Sequence, residues 1–200
     1  MGQHLAEAQA HLSSVCEVMA RLIPRHTPPD ITPKKPEDYF SVLVSSILGQ
    51  QLSVKAADTI EARLTAALGP HNPTVLSGTR VEELREHGLS RSKASYVIGM
   101  AEAFARGEID PHELATAESD VVVSHLTALK GIGPWTAEMF LIFGMGHPDI
   151  WSPGDLGLRK AIWAHFGEDA DVSKIAERWR PFRSYAALYL WEFSDNSPMV

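Results

Sequence analysis

The sequence predicts an all-α protein. Apolar residues recur at helical spacing along nearly the whole chain, and the stretches between them are short and rich in glycine, proline and polar residues. Residues 121–123 could open a strand, but no segment alternates apolar and polar residues as a partner strand would. The 200 residues are 44% hydrophobic and 22% charged, which is typical of a folded globular chain rather than a disordered one.

The spacing of apolar residues justifies each helix in turn. The first is expected over residues 5–22, and the segment 24–36, which holds five of the 13 prolines, cannot continue it as a regular helix. Glycines end two later helices, at Gly69 and near Gly107. The remaining predicted helices cover residues 40–48, 57–68, 94–105, 121–129, 134–143, 158–166 and 184–193.

A glycine-rich turn joins two of these helices, in the sequence LKGIGPW at residues 129–135. Gly131 and Gly133 permit a tight turn with positive φ, and Pro134 occupies the first helical position, where proline fits best. The helix that follows offers N–H groups and the positive end of its dipole to an anion. The turn therefore indicates a phosphate site, although an ordinary helix corner with a glycine C-cap has the same pattern.

An aspartate follows a second turn, in the sequence IWSPGDLGLRK at residues 150–160. Asp155 stands after Pro-Gly and at the start of another predicted helix. Taken alone, this position is typical of an N-cap or turn aspartate.

Together, the hairpin, the Pro-Gly turn and Asp155 resemble the signature of the helix-hairpin-helix (HhH-GPD) DNA glycosylase superfamily. SILGQQLS at residues 46–53 resembles the family's loop that enters DNA at the lesion, and GLSRSKA at 88–94 resembles its next helix start. Residues 178–191 resemble the C-terminal segment of the 3-methyladenine DNA glycosylase II branch. The resemblance spans about residues 37–191, with its motifs in the family's order.

This resemblance implies two helical lobes with the active-site cleft between them. The central lobe, residues 37–143, is expected to carry the helix-hairpin-helix, and residues 1–36 and 144–200 are expected to form the second lobe.

The implied reaction is hydrolysis of the N-glycosidic bond of alkylated bases, of the 3-methyladenine and 7-methylguanine type, flipped out of duplex DNA. Asp155 matches the catalytic carboxylate, which stabilises an oxocarbenium-like sugar or orients a water. Trp135 stands where bifunctional members carry the lysine that forms a Schiff base, so we expect an N-glycosylase without lyase activity that leaves an abasic site.

Aromatic residues match the base pocket of the alkyladenine branch. Trp135 and Trp191 occupy the positions of its tryptophans, and Met139 stands where some relatives carry tyrosine, which leaves the lesion range open. Gln51 matches the side chain that fills the gap left by the flipped base. The DNA-binding positions implied by the resemblance are Gln50, Gln51, Gly131, Gly133, Trp135 and Thr136.

The sequence disfavours zinc and iron–sulfur centres, and no cofactor is expected to be required. Cys16 is the single cysteine, which excludes a four-cysteine zinc site and a cysteine-ligated iron–sulfur cluster, and the nine histidines lack zinc-binding spacing. The resemblance implies one structural Na⁺ or K⁺ on the backbone carbonyls of Thr127, Leu129 and Ile132.

The formal net charge of −7 argues against a sequence-independent nucleic-acid coat protein. Backbone N–H groups at the hairpin and a local excess in residues 159–183, six basic residues against four acidic, predict a modest phosphate footprint and a shallow salt dependence. Residues 1–10 lack a basic segment followed by an apolar core, so we expect no signal peptide, and no apolar run reaches the length of a membrane span. We expect a cytoplasmic monomer, nucleoid-associated in a bacterium, that acts on double-stranded DNA containing a damaged base.

Two other functions fit parts of the pattern. A glycosylase for oxidised or mismatched bases is disfavoured by Trp135 in place of lysine and by the lack of a cysteine cluster. A non-catalytic helix-hairpin-helix DNA-binding module would not need the carboxylate of Asp155. A helical scaffold without a DNA role leaves the ordered set of motifs unexplained.

Overall fold

A computed structural model describes residues 4–27 and 31–196, and over these residues the chain is helical without a strand, as predicted. Two short 3₁₀ segments cover Ile23–Arg25 and Pro36–Asp38. The α-helices of the described residues are, in chain order, α1 (Leu5–Val15), α2 (Glu17–Leu22), α3 (Tyr39–Gly49), α4 (Val54–Leu68), α5 (Pro73–Ser77), α6 (Val81–Glu86), α7 (Arg91–Ala105), α8 (Pro111–Leu114), α9 (Ser119–Thr127), α10 (Pro134–Phe143), α11 (Leu156–Phe166), α12 (Val172–Glu177) and α13 (Arg183–Asn196). None of these helices has both the length and the apolar composition that a membrane span requires.

The chain forms two compact units. The central unit is Lys34–Gly144, and the terminal unit combines Met1–Pro33 with Met145–Val200.

Helix α3 is the core element of the central unit, where it packs against α4, α7 and α10. Leu43, Val44, Ile47 and Leu48 are fully buried along its length. At its start the ring of Tyr39 meets Phe140 of α10 edge-on, with centroids 5.0 Å apart. Each fully buried apolar side chain contributes roughly 1.5–3 kcal/mol, so the position of α3, and of the turn at its C terminus, is strongly fixed.

The terminal unit is built around α13, which packs against α11, α1 and α2. Tyr189 of α13 is fully buried, and its hydroxyl accepts a hydrogen bond from Nε2 of Gln9 in α1 at 2.8 Å. Trp179 is also fully buried and meets Trp151 edge-on at 5.6 Å. These contacts fix the segment that leads from Trp151 to α11.

The prediction of one helix over residues 5–22 is wrong, because the structure has two helices there. The helix is interrupted at Cys16, whose backbone is extended with φ −151° and ψ 114°, so two helices form in place of one. A break leaves helix carbonyls in need of donors. Here the guanidinium of Arg178 donates to the carbonyl of Val15 at 2.9 Å, a contact from a residue distant in sequence that local periodicity does not reveal.

Four short helices, α5, α6, α8 and α12, were not predicted because helices of four to six residues are too short to show a period. Three of them begin at side-chain caps, in which Asn72, Asp110 and Asp171 accept backbone N–H groups of the first turn. The strand-like residues 121–123 lie in helix α9.

Candidate active site

The turn after α3 holds one residue in a left-handed backbone conformation. Gln50 has φ −53° and ψ 125°, Gln51 has φ 57°, and the N–H of Leu52 donates to the carbonyl of Gly49 at 3.2 Å. These values define a type II β-turn, whose third position favours glycine because its φ is positive. A non-glycine residue there costs about 1–2 kcal/mol. The turn places the Gln51 side chain in an exposed position, as a residue that fills a gap in DNA requires.

The neighbouring Gln50 connects this turn to the hairpin within the central unit. Its side-chain Nε2 donates to the carbonyl of Gly131 at 3.0 Å and lies 3.2 Å from Oγ1 of Thr136. The structure thus brings together three of the predicted DNA-binding residues, through a contact that the sequence did not predict.

A further residue at this turn is Lys93, in the first turn of α7, which the sequence indicates only as a cation beside a helix start. Its Nζ donates to the carbonyl of Leu48 at 2.7 Å and to the carbonyl of Gln50 at 2.6 Å. Burial lowers the pKa of the Lys93 ammonium from its ordinary value. The only signal in the sequence is the position of Lys93 three residues after the helix cap Ser90.

The two hairpin glycines serve different purposes. Gly131 has φ 95°, and a Cβ there would lie 2.3 Å from the ring of Tyr96, so a side chain is excluded both by backbone and by packing. Gly133 is exposed with φ −93°, and a Cβ built on it meets nothing within 4 Å. Gly131 is therefore required by the fold, whereas Gly133 leaves open space at the start of α10.

The start of α10 has the properties of an anion site. Its N-cap is Gly133, so no side chain caps this helix, in contrast to Ser53 at α4 and Ser90 at α7. The positive end of the helix dipole therefore faces the open space beside Gly133. Thr136 is buried, 3% exposed, and its hydroxyl lies against the Gln50 amide, so its side chain is not available for a contact with DNA.

The base-pocket residues on α10 differ in exposure. Trp135 is 41% exposed, whereas Met139, one turn later, is 7% exposed and belongs largely to the core of the central unit. Lys130, the nearest amine in sequence, is exposed on the turn before the glycines. Trp135 lies in the first turn of α10, and its role in a base pocket stays a prediction.

The carbonyls predicted to hold a monovalent cation lie where α9 ends and the hairpin turns. The carbonyl of Leu129 accepts the N–H of Ile132 at 3.2 Å, which uses one of its two lone pairs. Carbonyl oxygens are suitable ligands for Na⁺ or K⁺, so the donor set at Thr127, Leu129 and Ile132 is chemically compatible with the predicted cation.

Asp155 in the terminal unit is the N-cap of α11. Its Oδ1 accepts the N–H of Leu158 at 2.8 Å and the indole Nε1–H of Trp191 at 3.2 Å. The side chain is half-buried. The capping role and a catalytic role are compatible, because the cap fixes the carboxylate without hiding it.

Gly157, which the site predicted from the sequence does not include, lies beside both side chains. A Cβ at Gly157 would lie 3.1 Å from Oδ1 of Asp155 and 3.5 Å from Cδ1 of Trp191. A side chain at position 157 would press on the Asp155 carboxylate, whereas its distance to the indole is an ordinary van der Waals contact.

The loop that precedes Asp155 is anchored to the start of α13. Oγ of Ser184 donates to the carbonyl of His147 at 2.6 Å and accepts the N–H of Ile150 at 2.9 Å. Because Trp191 lies two turns further along α13, the same helix holds both the loop and the partner of Asp155.

The basic excess predicted in residues 159–183 is smaller on the folded protein. Asp149, which lies outside that segment, pairs with Arg180 at 2.8 Å and with Arg183 at 2.7 Å. Arg178 donates to Val15, as described above. Three of the six basic residues therefore donate hydrogen bonds within the protein, which shifts the expected phosphate contacts towards backbone N–H groups.

Comparison with known proteins gives a consistent assignment. Residues 44–183 match the family described as HhH-GPD superfamily base excision DNA repair protein. A DNA-3-methyladenine glycosylase of Saccharomyces cerevisiae is 31% identical over 181 residues, which cover 84% of this chain and 61% of the relative. The chain also spans 58% of the length of a Bacillus subtilis relative, so it covers about three-fifths of these curated relatives.

Two solved structures match over nearly their full length. The DNA-3-methyladenine glycosidase of Bacillus halodurans is 34% identical with a TM-score of 0.78, and the match covers 98% of this chain and 90% of that one. The Schizosaccharomyces pombe 3-methyladenine DNA glycosylase in complex with abasic DNA is 29% identical with a TM-score of 0.84, covering 97% and 99%. The chain belongs to the HhH-GPD superfamily of base excision DNA repair proteins.

Proposed function

We propose that this chain is a monofunctional DNA glycosylase that hydrolyses the N-glycosidic bond of alkylated bases in double-stranded DNA, acts as a monomer and leaves an abasic site. The observation that carries the proposal is the carboxylate of Asp155, held at the N terminus of α11 by Leu158 and Trp191. The relatives named as 3-methyladenine DNA glycosylases support the choice of alkylated bases.

Asp155 is the catalytic residue in this mechanism. As the glycosidic bond breaks, positive charge develops on the sugar, and a fixed carboxylate stabilises it or orients a water towards C1′. Two hydrogen-bond donors restrict the rotation of the Asp155 side chain, so little reorganisation is needed at the transition state. An alkylated purine carries positive charge and is already a good leaving group, so protonation by a general acid is dispensable.

The absence of lyase chemistry follows from the residue at position 135. A Schiff base requires an amine next to the sugar, and Trp135 supplies an indole there. Its exposed ring can instead stack on an electron-poor base, a contact that contributes roughly 0.5–2 kcal/mol.

The hairpin and the turn after α3 are the proposed DNA contacts. The N terminus of α10 and the open space at Gly133 suit a phosphate oxygen, with Na⁺ or K⁺ on the hairpin carbonyls as a structural ion. Gln51 fills the gap left by the flipped base, and its amide can hydrogen-bond to the orphan partner base. Gln50 takes a positioning role, since its amide is already bonded to the hairpin.

Base release tests the proposal. The protein is incubated with duplex DNA treated with a methylating agent, and the released bases are separated by chromatography. We expect 3-methyladenine or 7-methylguanine in solution and intact strands that break only on later alkaline treatment. No released methylated base would refute the proposed activity.

A further inference from the structure

The C terminus of α3 has a donor for every carbonyl from Ile47 to Gln50. The carbonyls of Ile47 and Gly49 accept backbone N–H groups of the turn itself. The other two, on Leu48 and Gln50, accept the ammonium group of Lys93. Carbonyls at a helix C terminus have no N–H partner within the helix. Lys93, from a different helix, supplies the donors that these two carbonyls need.

The Gln50 carbonyl differs from the other three because it belongs to the central peptide of the type II turn. Type I and type II turns differ by a flip of this peptide, and in a type I turn the third residue has negative φ. Gln51 would avoid its left-handed conformation if the peptide flipped. The bond between Lys93 and the Gln50 carbonyl opposes that flip, and a charge-assisted hydrogen bond is roughly twice as strong as a neutral one.

We infer that Lys93 is a positioning residue that holds the peptide between Gln50 and Gln51 in its type II orientation and so presents the Gln51 side chain to duplex DNA, an inference that rests on the glycosylase function proposed above. A lysine in the first turn of a helix beside a DNA-binding loop would otherwise be assigned to a phosphate. The two short bonds to protein carbonyls assign the Lys93 ammonium to the turn instead.

The side chain of Gln50 adds a second restraint to the same turn. It joins the turn to Gly131 and Thr136 of the hairpin, while Lys93 joins it to α7. The turn that carries Gln51 is thereby tied to two other elements of the central unit.

A comparison of duplex and single-stranded substrates tests the role of Lys93. Filling the gap in the stack matters only in a duplex, so excision from single-stranded methylated DNA does not need Gln51. We expect Lys93→Met to lower the ratio of duplex to single-strand excision by about tenfold, the loss typical of a hydrogen bond to a charged group. Arg106→Met removes a cation from the opposite end of α7, and we expect it to leave the ratio unchanged.

A double-mutant cycle with Gln51→Gly separates positioning from phosphate binding. If Lys93 acts through Gln51, adding Lys93→Met to Gln51→Gly lowers the ratio no further. Multiplicative effects of the two changes, or an equal loss on both substrates, would overturn the inference. Should Lys93→Met not fold, as judged by circular dichroism, Lys93→Gln replaces it in the same cycle.

A structural measurement tests the inference even if no base is released by the wild-type protein. The one-bond Cα–Hα coupling of residue 51 in NMR reports the sign of φ. We expect the value for positive φ in the wild-type protein and the value for negative φ in Lys93→Met. A positive φ at Gln51 in the variant would show that Lys93 does not hold the turn, whereas inactivity of the wild-type protein would refute only the proposed glycosylase function.

Discussion

The indole Nε1–H of Trp191 donates a hydrogen bond to Oδ1 of Asp155 at 3.2 Å, across 36 residues of sequence. The same oxygen caps helix α11 through the N–H of Leu158. Gly157 lies beside both side chains and leaves room for the pair. The sequence predicts Trp191 as a base-stacking residue, and the structure adds a hydrogen bond that orients the Asp155 carboxylate.

Replacing Trp191 by phenylalanine tests this bond. Trp191→Phe keeps an aromatic ring but removes the indole donor, so the carboxylate loses one of its restraints. We expect kcat for base release to fall by about tenfold with a small change in KM, the loss typical of a hydrogen bond to a charged group. Steady-state kinetics measure the split between kcat and KM. Trp163→Phe in the same unit is the matched control, and equal kinetics of the two variants would contradict the assigned role.

The two hairpin glycines should respond differently to alanine. Gly133→Ala adds a methyl group in open space, so we expect an unchanged Tm and a roughly tenfold weaker Kd for an abasic duplex, because the methyl group hinders approach of a phosphate to the helix N terminus. Gly131→Ala places a Cβ against Tyr96 at φ 95° and should destabilise the fold by about 2–4 kcal/mol. Thermal unfolding and fluorescence anisotropy distinguish the two. Wild-type affinity of Gly133→Ala for the abasic duplex would show that no phosphate binds at this helix N terminus.

Gln51→Gly should separate stability from activity. Glycine removes the cost of a left-handed backbone, about 1–2 kcal/mol, and adds about 0.5–1 kcal/mol of unfolded-state entropy, so we expect an equal or slightly higher Tm. Excision from a duplex should nevertheless fall, since the gap left by the flipped base is no longer filled. Gln51→Asn retains a side-chain amide, and asparagine tolerates positive φ. Its excision rate should lie between those of the wild-type protein and Gln51→Gly. Full duplex activity in Gln51→Gly would exclude Gln51 as the filling residue.

Borohydride trapping tests the absence of lyase activity. Because position 135 holds a tryptophan, no Schiff base can form there, and the wild-type protein with a lesion-containing duplex should give no covalent adduct after reduction. A bifunctional glycosylase in a parallel reaction confirms that the trap works. A band of the protein crosslinked to DNA on a denaturing gel would contradict the monofunctional assignment.

Local signals in the sequence predict part of this structure well. Helix α10 is predicted at both ends, because Pro134 marks the first helical position and a glycine follows Phe143. Asp155 is similarly visible as the residue that begins α11. The ends of α10 and the start of α11 are set by residues close to them in sequence, which is why the sequence predicts them.

Contacts between distant residues are not visible in the same way. The bond from Lys93 to Gln50 spans 43 residues and the bond from Trp191 to Asp155 spans 36, so neither leaves a periodic pattern. The left-handed conformation of Gln51 even opposes the local preference, because glutamine is an unusual residue at the third position of a type II turn. Such departures from local preference are expected where function constrains the backbone.

Single-turnover base release by Asp155→Asn on a methylated duplex tests the proposed role of the Asp155 carboxylate. Asparagine keeps the side-chain oxygen that accepts from Leu158 and Trp191, so the helix cap and the fold should persist while the negative charge is lost. We expect release of methylated bases to fall by about 100-fold or more, with affinity for an abasic duplex within about threefold of wild type. Release at the wild-type rate would show that the Asp155 carboxylate does not stabilise the transition state.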